Sequence, residues 1–440
     1  MNIPNHIYFV LEALTNAGHS AYLVGGCVRD ALLGVEPKDF DITTSATPEE
    51  IKEIFSAYTL ILAGEKHGTV GIHIEKEVVE VTTFRTDGAY DDARHPEKVT
   101  FTKDITEDLS RRDFTVNAMA YHPLEGLIDP FNGQDDLHKQ LLRAVGVAEI
   151  RFQEDALRIM RGLRFSARLG FTIEEKTENA MRLHAPLLHK ISMERVGGEF
   201  VRMLQGEFAP IVLRKNHCII IELLPELAPM INCPQVSIYH CYDVWEHTLH
   251  TLKHTYPKTP LLVLGAFFHD CGKPQARTRD EEGYDHFHGH QHIGAKIARP
   301  LLQRLKMPNR LTDDICTLIE HHDDHITQNT VRLQMSILGE KLFDAYLYLR
   351  YADVKAHTPF LANSAKQFIT YRNIMDNILQ NNICYSLKTL AVDGKDLQTL
   401  GLEGKEIGDA LQWILHLVVT EKAENNKKLL LEKAREHFIA

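Results

Sequence analysis

Three groups of residues in this chain have types and spacings that could do chemistry. The first is the run Lys38-Asp39-Phe40-Asp41-Ile42. Side chains two apart in a strand share a face, so a strand here projects Asp39 and Asp41 together while Phe40 and Ile42 anchor the other side. Two crowded carboxylates repel each other unless a divalent cation neutralises them, and Mg²⁺ favours one or two carboxylates plus substrate phosphates. That is a ligand set for two-metal phosphoryl or nucleotidyl transfer. A solvated acidic strand edge has the same spelling, so the neighbourhood must decide. Gly25-Gly26-Cys27-Val28-Arg29-Asp30 follows the apolar residues 22–24 and precedes a helical run at 31–33. Two glycines at a strand-to-helix turn let backbone N–H groups approach a triphosphate, and Arg29 adds a cation. Glu80, alternating with Val79 and Val81, is a candidate third carboxylate, although a solvated strand face explains it equally well.

The second group is residues 154–165, where Asp155, Arg158, Arg161 and Arg164 recur every three positions on an expected helix. Leu157, Ile159, Met160 and Leu163 supply its buried side. A salt-bridged surface helix is one reading of this stripe. The chemical reading uses base edges. Cytosine and adenine each show an amine donor beside a ring-nitrogen acceptor, whereas uracil and guanine show the reverse. A carboxylate only accepts and a guanidinium only donates, so Asp155 with Arg158 complements C and A and opposes U and G.

The third group is a cluster of histidines: 12 of the chain's 25 lie between positions 234 and 330. His247 opens one helical run, His269-Asp270 closes the apolar run 261–268, and Asp353 lies in a later helix. Imidazole and carboxylate from separate helices can converge on one divalent transition metal. His290 and either His321 or His322 are candidates for a second metal or a phosphate contact. Many of the remaining histidines, including His250, His254 and His325, read as surface or core residues.

These groups need elements to hold them. From 20 to about 130 the pattern is α/β, with β-branched residues at 78–84 and Gly and Pro punctuation; from about 146 onward helical periodicity dominates, as at 155–171, 193–205, 261–269, 293–305 and 410–419. The 440 residues exceed one ordinary core and suggest several units, with Pro225, Pro229 and Pro234 marking an internal boundary. No apolar run approaches the length of a membrane span, and the first 18 residues read as an amphipathic helix rather than a leader, so a cytoplasmic location is expected and no membrane partner. The 7 cysteines form no CxxC pair and suggest neither disulfides nor a thiolate zinc site. Residues 1–150 hold 13 Lys+Arg against 25 Asp+Glu, a balance of −12 that accounts for the whole net charge of −11. A phosphate backbone would be held by the less acidic remainder.

The blocks at 25–30, 39–41, 85–96, 111–118, 129–137, 154–165 and 191–195 occur in the order found in the class II tRNA nucleotidyltransferases of the polymerase-beta superfamily, which also contains bacterial poly(A) polymerases. The first 200 residues resemble that family. The resemblance implies that Asp39 and Asp41 hold catalytic Mg²⁺ and that Gly26, Arg29 and Arg112 bind the incoming nucleotide. It places Asp113 and Asn117 near the ribose or triphosphate. Asp155 and Arg158 would pair with the base, with Arg161 and Arg164 completing the nucleotide site. It implies CTP and ATP as substrates and tRNA as partner, with no DNA expected. The segment 85–96 looks like an intact copy of the loop needed to switch from C to A, which disfavours C-only addition; A-only addition and poly(A) synthesis are the alternatives within the family.

The histidine region resembles the HD phosphohydrolase superfamily. That likeness implies a first metal on His247, His269, Asp270 and Asp353, and hydrolysis of 2′,3′-cyclic or other phosphoesters, including those at RNA ends. A chain whose main work is that hydrolysis is the rival reading. The expected fold is α+β: a polymerase-beta-type sheet domain followed by a mostly helical body that includes an HD domain. The expected divisions are a catalytic head at 1–145, a nucleotide-recognising neck at 146–233, an HD domain at 234–360 and a tRNA-binding tail at 361–440. Within the tail, residues 397–408 look like a segment that contacts RNA, with a plain glycine-rich turn around Gly404 as the other reading.

Overall fold

A computed structural model describes residues 1–87 and 99–439. The chain divides into two compact units, Met1–Pro225 and Glu226–Ala440, and the division falls at the first of the prolines that mark the boundary in sequence.

In the first unit the helix Asn5–Asn16 buries Ile7, Val10, Leu11 and Leu14, the spacing of one helical face. A seven-stranded sheet follows, in the spatial order Thr59–Ile61, Thr69–Ile74, Glu77–Thr83, Asp41–Thr44, Ala21–Val24, Ala120–His122, Gly126–Ile128. The pairing of Asp41–Thr44 with Glu77–Thr83 is parallel and the others are antiparallel. Ala21–Val24 is buried along its whole length, as a central strand should be.

The strand expected across residues 38–42 is shorter than its alternating pattern suggests. It begins at Asp41, opposite Val24. Gly25, at φ 75°, turns the chain out of the sheet directly after Val24, so Asp39 has no ladder partner. The two aspartates are therefore brought together by a strand start and the irregular segment before it, not by one pleated face.

A second expectation also changes. Residues 154–165 are not one helix: Ala148–Glu154 ends, Asp155 is extended at φ −139° and ψ 100°, and a new helix runs Leu157–Leu169. Asp155 lies in the break, and its carboxylate accepts a hydrogen bond from Leu157 N at 3.0 Å. Carboxylate capping of an exposed helix start competes with continuing the helix through an aspartate. The helices Met193–Leu204 and Ala209–Leu223 complete the unit.

The second unit is helical. Pro260–Phe268 is buried from Leu261 through Phe268, the signature of a central helix. Val244–His254, His290–Arg304, Asn309–His321 and Val331–Lys355 belong to the same unit. The later helices Lys405–Val419 and Lys427–Phe438 share their own core, with Ile414, Val418, Leu430 and Ala434 buried in it. Among the described residues no helix is long and apolar enough to cross a membrane.

Candidate functional site

The first site grows from the register of the sheet. Val24 pairs with Asp41, and Ile42 pairs with Val81, so the glycine turn, Asp41 and Glu80 reach the same sheet end. A Cβ on Gly25 would stand 3.3 Å from Arg112 Nη1 and 3.9 Å from Asp41 Oδ2. The glycine thus lets a guanidinium and a carboxylate close on the turn. Partial burial raises the Asp41 pKa; Arg112 opposes the rise, while Glu80 and Asp39 add to it. Asp41 nevertheless keeps an exposed face at the strand start. Three carboxylates within electrostatic reach of each other are the kind of oxygen donors that suit a hard divalent cation.

Arg112 is steadied by Asp108, 3.2 Å away, which also binds Arg111 at 2.7 Å. Arg29 is buried and donates to Asn117 Oδ1 at 2.6 Å and to Asp30 Oδ1 at 2.8 Å. Asn117 in turn donates to Asp113, whose other oxygen takes Arg161 Nε at 2.7 Å. Burial pushes Asp113 up, but Arg161, together with Arg158 and the Asn117 hydrogen bond, outweighs it and holds the carboxyl below its usual range. The guanidinium groups of Arg29, Arg161 and Arg164 all lie over the Phe165 ring, at 5.4, 5.3 and 4.0 Å. Arg164 also pairs with Glu199. One continuous network thus joins the glycine turn to the helix Leu157–Leu169.

Arg158 is buried rather than displayed on a surface stripe. It donates to Glu154 Oε2 at 2.8 Å, to Arg151 O at 3.2 Å and to Arg111 O at 2.7 Å. Asp155 faces Arg195 at 3.6 Å. The aspartate and arginine expected to act together are thus held by different partners. Residues 88–96 of the segment expected to switch base choice lie outside the described residues, while Arg85–Asp87 pairs with Val99–Phe101 as a two-stranded ladder.

The second site is built entirely within the second unit. His247, His269, Asp270 and Asp353 are all buried and meet: His247 Nε2 is 2.9 Å from Asp353 Oδ1 and 3.5 Å from Asp270 Oδ2, and His269 Nε2 is 3.2 Å from the same Asp270 oxygen. On the other side of Asp270, Oδ1 faces His290 Nε2 at 3.4 Å and His322 Nε2 at 3.5 Å. Of the two neighbouring histidines it is His322 that enters; His321 turns to Asp324 at 2.7 Å. His269, His290 and His322 each bond a backbone carbonyl through Nδ1, those of Ala266, Phe287 and Ile319, which points Nε2 inward.

Both Asp270 oxygens and His269 Nε2 are buried without a well-formed hydrogen bond, although Lys273 Nζ lies 2.7 Å from Oδ2. Orphaned buried acceptors among inward-facing imidazoles fit divalent transition metals, with Asp270 between a His247/His269 pair and a His290/His322 pair. Burial lowers the His247 pKa to about 4, so this imidazole is neutral at physiological pH, the form able to coordinate a metal. A Cβ on Gly272 would lie 2.1 Å from His290 O and 2.4 Å from Gly294 N. Only glycine there lets the helix His290–Arg304 start against the His269-Asp270 turn. Four residues near this site are absent from the sequence-based set: His240, Lys273, Arg350 and His357. Arg350 reaches Asp353 Oδ2 at 3.0 Å, and His357 bonds Asp353 O at 2.8 Å.

Known proteins share this plan. Residues 21–143 match the poly A polymerase head domain, 170–230 match the "Probable RNA and SrmB- binding site of polymerase A", and 281–434 match tRNA nucleotidyltransferase domain 2. The CCA-adding enzyme of Enterococcus faecalis is 34% identical over 436 residues, covering 97% of this chain and 94% of the relative. That of Geobacillus thermodenitrificans is 36% identical over 437 residues, covering 97% and 96%. The crystal structure of the Bacillus stearothermophilus CCA-adding enzyme in complex with CTP aligns with a TM-score of 0.74 at 30% identity, covering 99% of this chain and 98% of that one. With likeness at this identity along nearly the whole length, and a sheet end that gathers carboxylates and arginines around a glycine turn, the chain belongs to the class II CCA-adding enzymes, a family of nucleotidyltransferases.

Proposed function

We propose that the chain is a cytoplasmic enzyme that builds CCA on the 3′ end of tRNA from CTP and ATP, without a nucleic-acid template. The observation that carries this reading is the shared sheet end of Asp41, Glu80 and the glycine turn beside Arg112. Asp39 and Asp41 would hold Mg²⁺, which when bound neutralises triphosphate charge. Gly26 leaves room for the triphosphate, and Arg29 and Arg112 bind its oxygens. Arg161 and Arg164, braced by Asp113 and Glu199 over Phe165, complete the nucleotide site.

Base choice falls to Asp155 and Arg158. Three of the five N–H groups of Arg158 donate to Glu154, Arg151 and Arg111, which leaves two for a base edge. Asp155 Oδ1 is used by Leu157 N, and Oδ2, which faces Arg195 at 3.6 Å without a hydrogen bond to it, can accept from an exocyclic amine. In this reading residues 1–145 are the catalytic head, 146–233 the neck, 234–360 an HD domain and 361–440 a tRNA-binding tail. The experiment is incorporation of labelled CTP and ATP into tRNA ending before the first C, after the second C, or already complete. Growth of the first two to one common end supports the reading; A addition alone, or an unlimited A tail, replaces it with A-only addition or poly(A) synthesis.

A second activity has its own observation, the orphaned buried ligand atoms of Asp270 and His269. We infer a metal-dependent phosphohydrolase in which His247, His269, Asp270 and Asp353 hold one divalent transition metal and His290 and His322, with Asp270, hold a second. A bound ion supplies charge for a phosphoester oxygen. Lys273 and Arg350, both beside the aspartates, can hold the remaining phosphate oxygens. Net hydrolysis adds water across one P–O ester bond and releases a hydroxyl. The test is hydrolysis of adenosine 2′,3′-cyclic phosphate with Ni²⁺, Co²⁺ or Mn²⁺, and no turnover with any of them would remove the reading.

A further inference from the structure

The histidine and aspartate site lies on the floor of a cavity of about 850 Å³, large beside the volume of one phosphate group. Asp270, Asp353, Lys273 and Arg350 line its depth, and two walls rise from them. One wall is the segment 237–240. The other is the hairpin of Thr278–Arg279 and Asp285–His286.

Both walls expose apolar surface toward the opening. Tyr239 is 52% exposed, Tyr284 is 42% and Ile238 is 69%, although all three line the cavity. Tyrosine side chains this exposed along a cavity wall contribute little packing to the fold. They are nonetheless held firmly. Tyr239 O accepts from Thr358 N at 3.1 Å, which fixes its backbone to the chain just after Asp353. The hairpin is fixed by Asp285, whose buried carboxylate takes Arg277 Nε at 3.0 Å, Arg279 Nε at 2.9 Å and Val236 N at 2.9 Å. Asp285 N also donates to Val236 O at 2.8 Å. A buried carboxylate that takes no part in the proposed chemistry therefore clamps one wall to the other and sets the spacing of the two tyrosines.

The charges along the cavity are of both signs: Asp280 is bonded to His286 at 2.7 Å and Asp323 faces Arg350 at 3.6 Å, so recognition above the phosphate falls to the aromatic walls. A base stacks on aromatic faces without regard to which base it is.

We propose that Tyr239 and Tyr284 form a nucleobase platform, so that the phosphate held at this site belongs to a base-bearing nucleotide, either free or at the end of an RNA. The assignment rests on the phosphohydrolase reading of the same site and names its substrate class. Tyr239 and Tyr284 determine specificity and leave the bond-breaking groups unchanged.

The experiment compares three probes on the full chain loaded with Ni²⁺, Co²⁺ or Mn²⁺: adenosine 2′,3′-cyclic phosphate, a methyl riboside 2,3-cyclic phosphate that lacks a base, and a short RNA ending in a 2′,3′-cyclic phosphate. Tyr239→Ala and Tyr284→Ala should each raise KM for the base-bearing probes, by about 5- to 150-fold if one stacking face is lost, with kcat unchanged. Tyr239→Phe should restore KM, because the ring and not the hydroxyl stacks. The base-free probe should show the same kcat/KM in wild type and variants. Preference between the first and third probes separates a free nucleotide from an RNA end. Equal losses on base-bearing and base-free probes, or no loss on either, would overturn the platform. If wild type hydrolyses none of the probes, the phosphohydrolase reading fails, and calorimetry then judges the platform alone. Adenosine 2′-phosphate binding wild type more tightly than Tyr239→Ala upholds it, and equal binding overturns it.

Discussion

His247 Nε2 lies 2.9 Å from Asp353 Oδ1, although 106 residues separate them in the chain. Both side chains are buried, one on the helix Val244–His254 and the other near the end of Val331–Lys355. A contact of that span closes a long stretch of the second unit, so whatever strengthens it strengthens the helices on either side.

Metal should therefore stabilise the fold. A ligand bound only by the folded state adds about 2.7 kcal/mol at a hundredfold excess over its Kd. For a unit of this size that is a rise of several degrees in the unfolding midpoint, at about 2–4 °C per kcal/mol. Thermal melts with Ni²⁺, Co²⁺ or Mn²⁺ are expected to show the rise in wild type and to lose it in Asp353→Ala. An equal rise in both proteins would place the ion elsewhere.

Nucleotide addition should fail in Asp41→Asn and in Asp39→Ala while circular dichroism stays native, because neither side chain belongs to the core. Glu80→Gln is expected to keep activity but to need more Mg²⁺, since it removes one of the charges crowded around Asp41. Incorporation by Asp41→Asn at saturating Mg²⁺ that matches wild type would rule out the metal role.

Asp155→Ala should relax base choice more than it slows triphosphate chemistry. Loss of one base-edge contact corresponds to ~1–3 kcal/mol of discrimination. Arg158→Ala is the less clean test, because Arg151 O and Arg111 O lose a buried donor, which itself costs about 1–3 kcal/mol. Competition between CTP and UTP on a tRNA lacking CCA reads the effect, and unchanged rejection of UTP by Asp155→Ala would contradict it.

The two activities should separate. His269→Ala combined with Asp270→Ala is expected to eliminate phosphohydrolysis while CCA addition continues, because the two residue sets belong to different compact units. Loss of both activities in a folded variant would show that the units are coupled.

Acid unfolding should report the pair of Asp113 and Arg161. Burial raises the Asp113 pKa but Arg161, with Arg158 and Asn117, lowers it further, so its folded value is below the unfolded value of about 3.9. A depressed pKa gives stability that is present above the unfolded value and lost as pH falls through the folded one. Asp113→Asn should be less stable than wild type at pH 7 and lose less on going below about pH 4. Urea midpoints across that range test it, and parallel curves would mean that the pair contributes nothing.

Much of this arrangement could be read from the chain. The glycine turn, the paired aspartates and the order of the blocks pointed to the nucleotidyltransferase family, and His247, His269, Asp270 and Asp353 do converge. The misreadings have local causes. Alternation at 38–42 suggested a strand, but a strand needs a partner, and the partner ends at Val24. The three-residue spacing at 155–164 suggested one helix, but Asp155 caps the next one instead. His321 and His322 are consecutive and point in different directions, so the sequence left the choice open until the helix phase was known. Lys273, Arg350 and His357 lie three or four positions from Asp270 or Asp353, which is helical spacing and could have flagged them. His240 is on a loop and gave no periodic signal.

The seam at Gly272 has a consequence for how such a site can change. Main chain touches main chain there, so the gap between Asp270 and His290 is gauged by backbone and not by the bulk of any side chain. Residues on the rim can be exchanged, and the choice of substrate with them, while the donor atoms keep their separation. The seam works as a fixed ruler beneath a replaceable mouth: chemistry and selectivity can drift independently, until a methyl group at position 272 breaks the ruler itself.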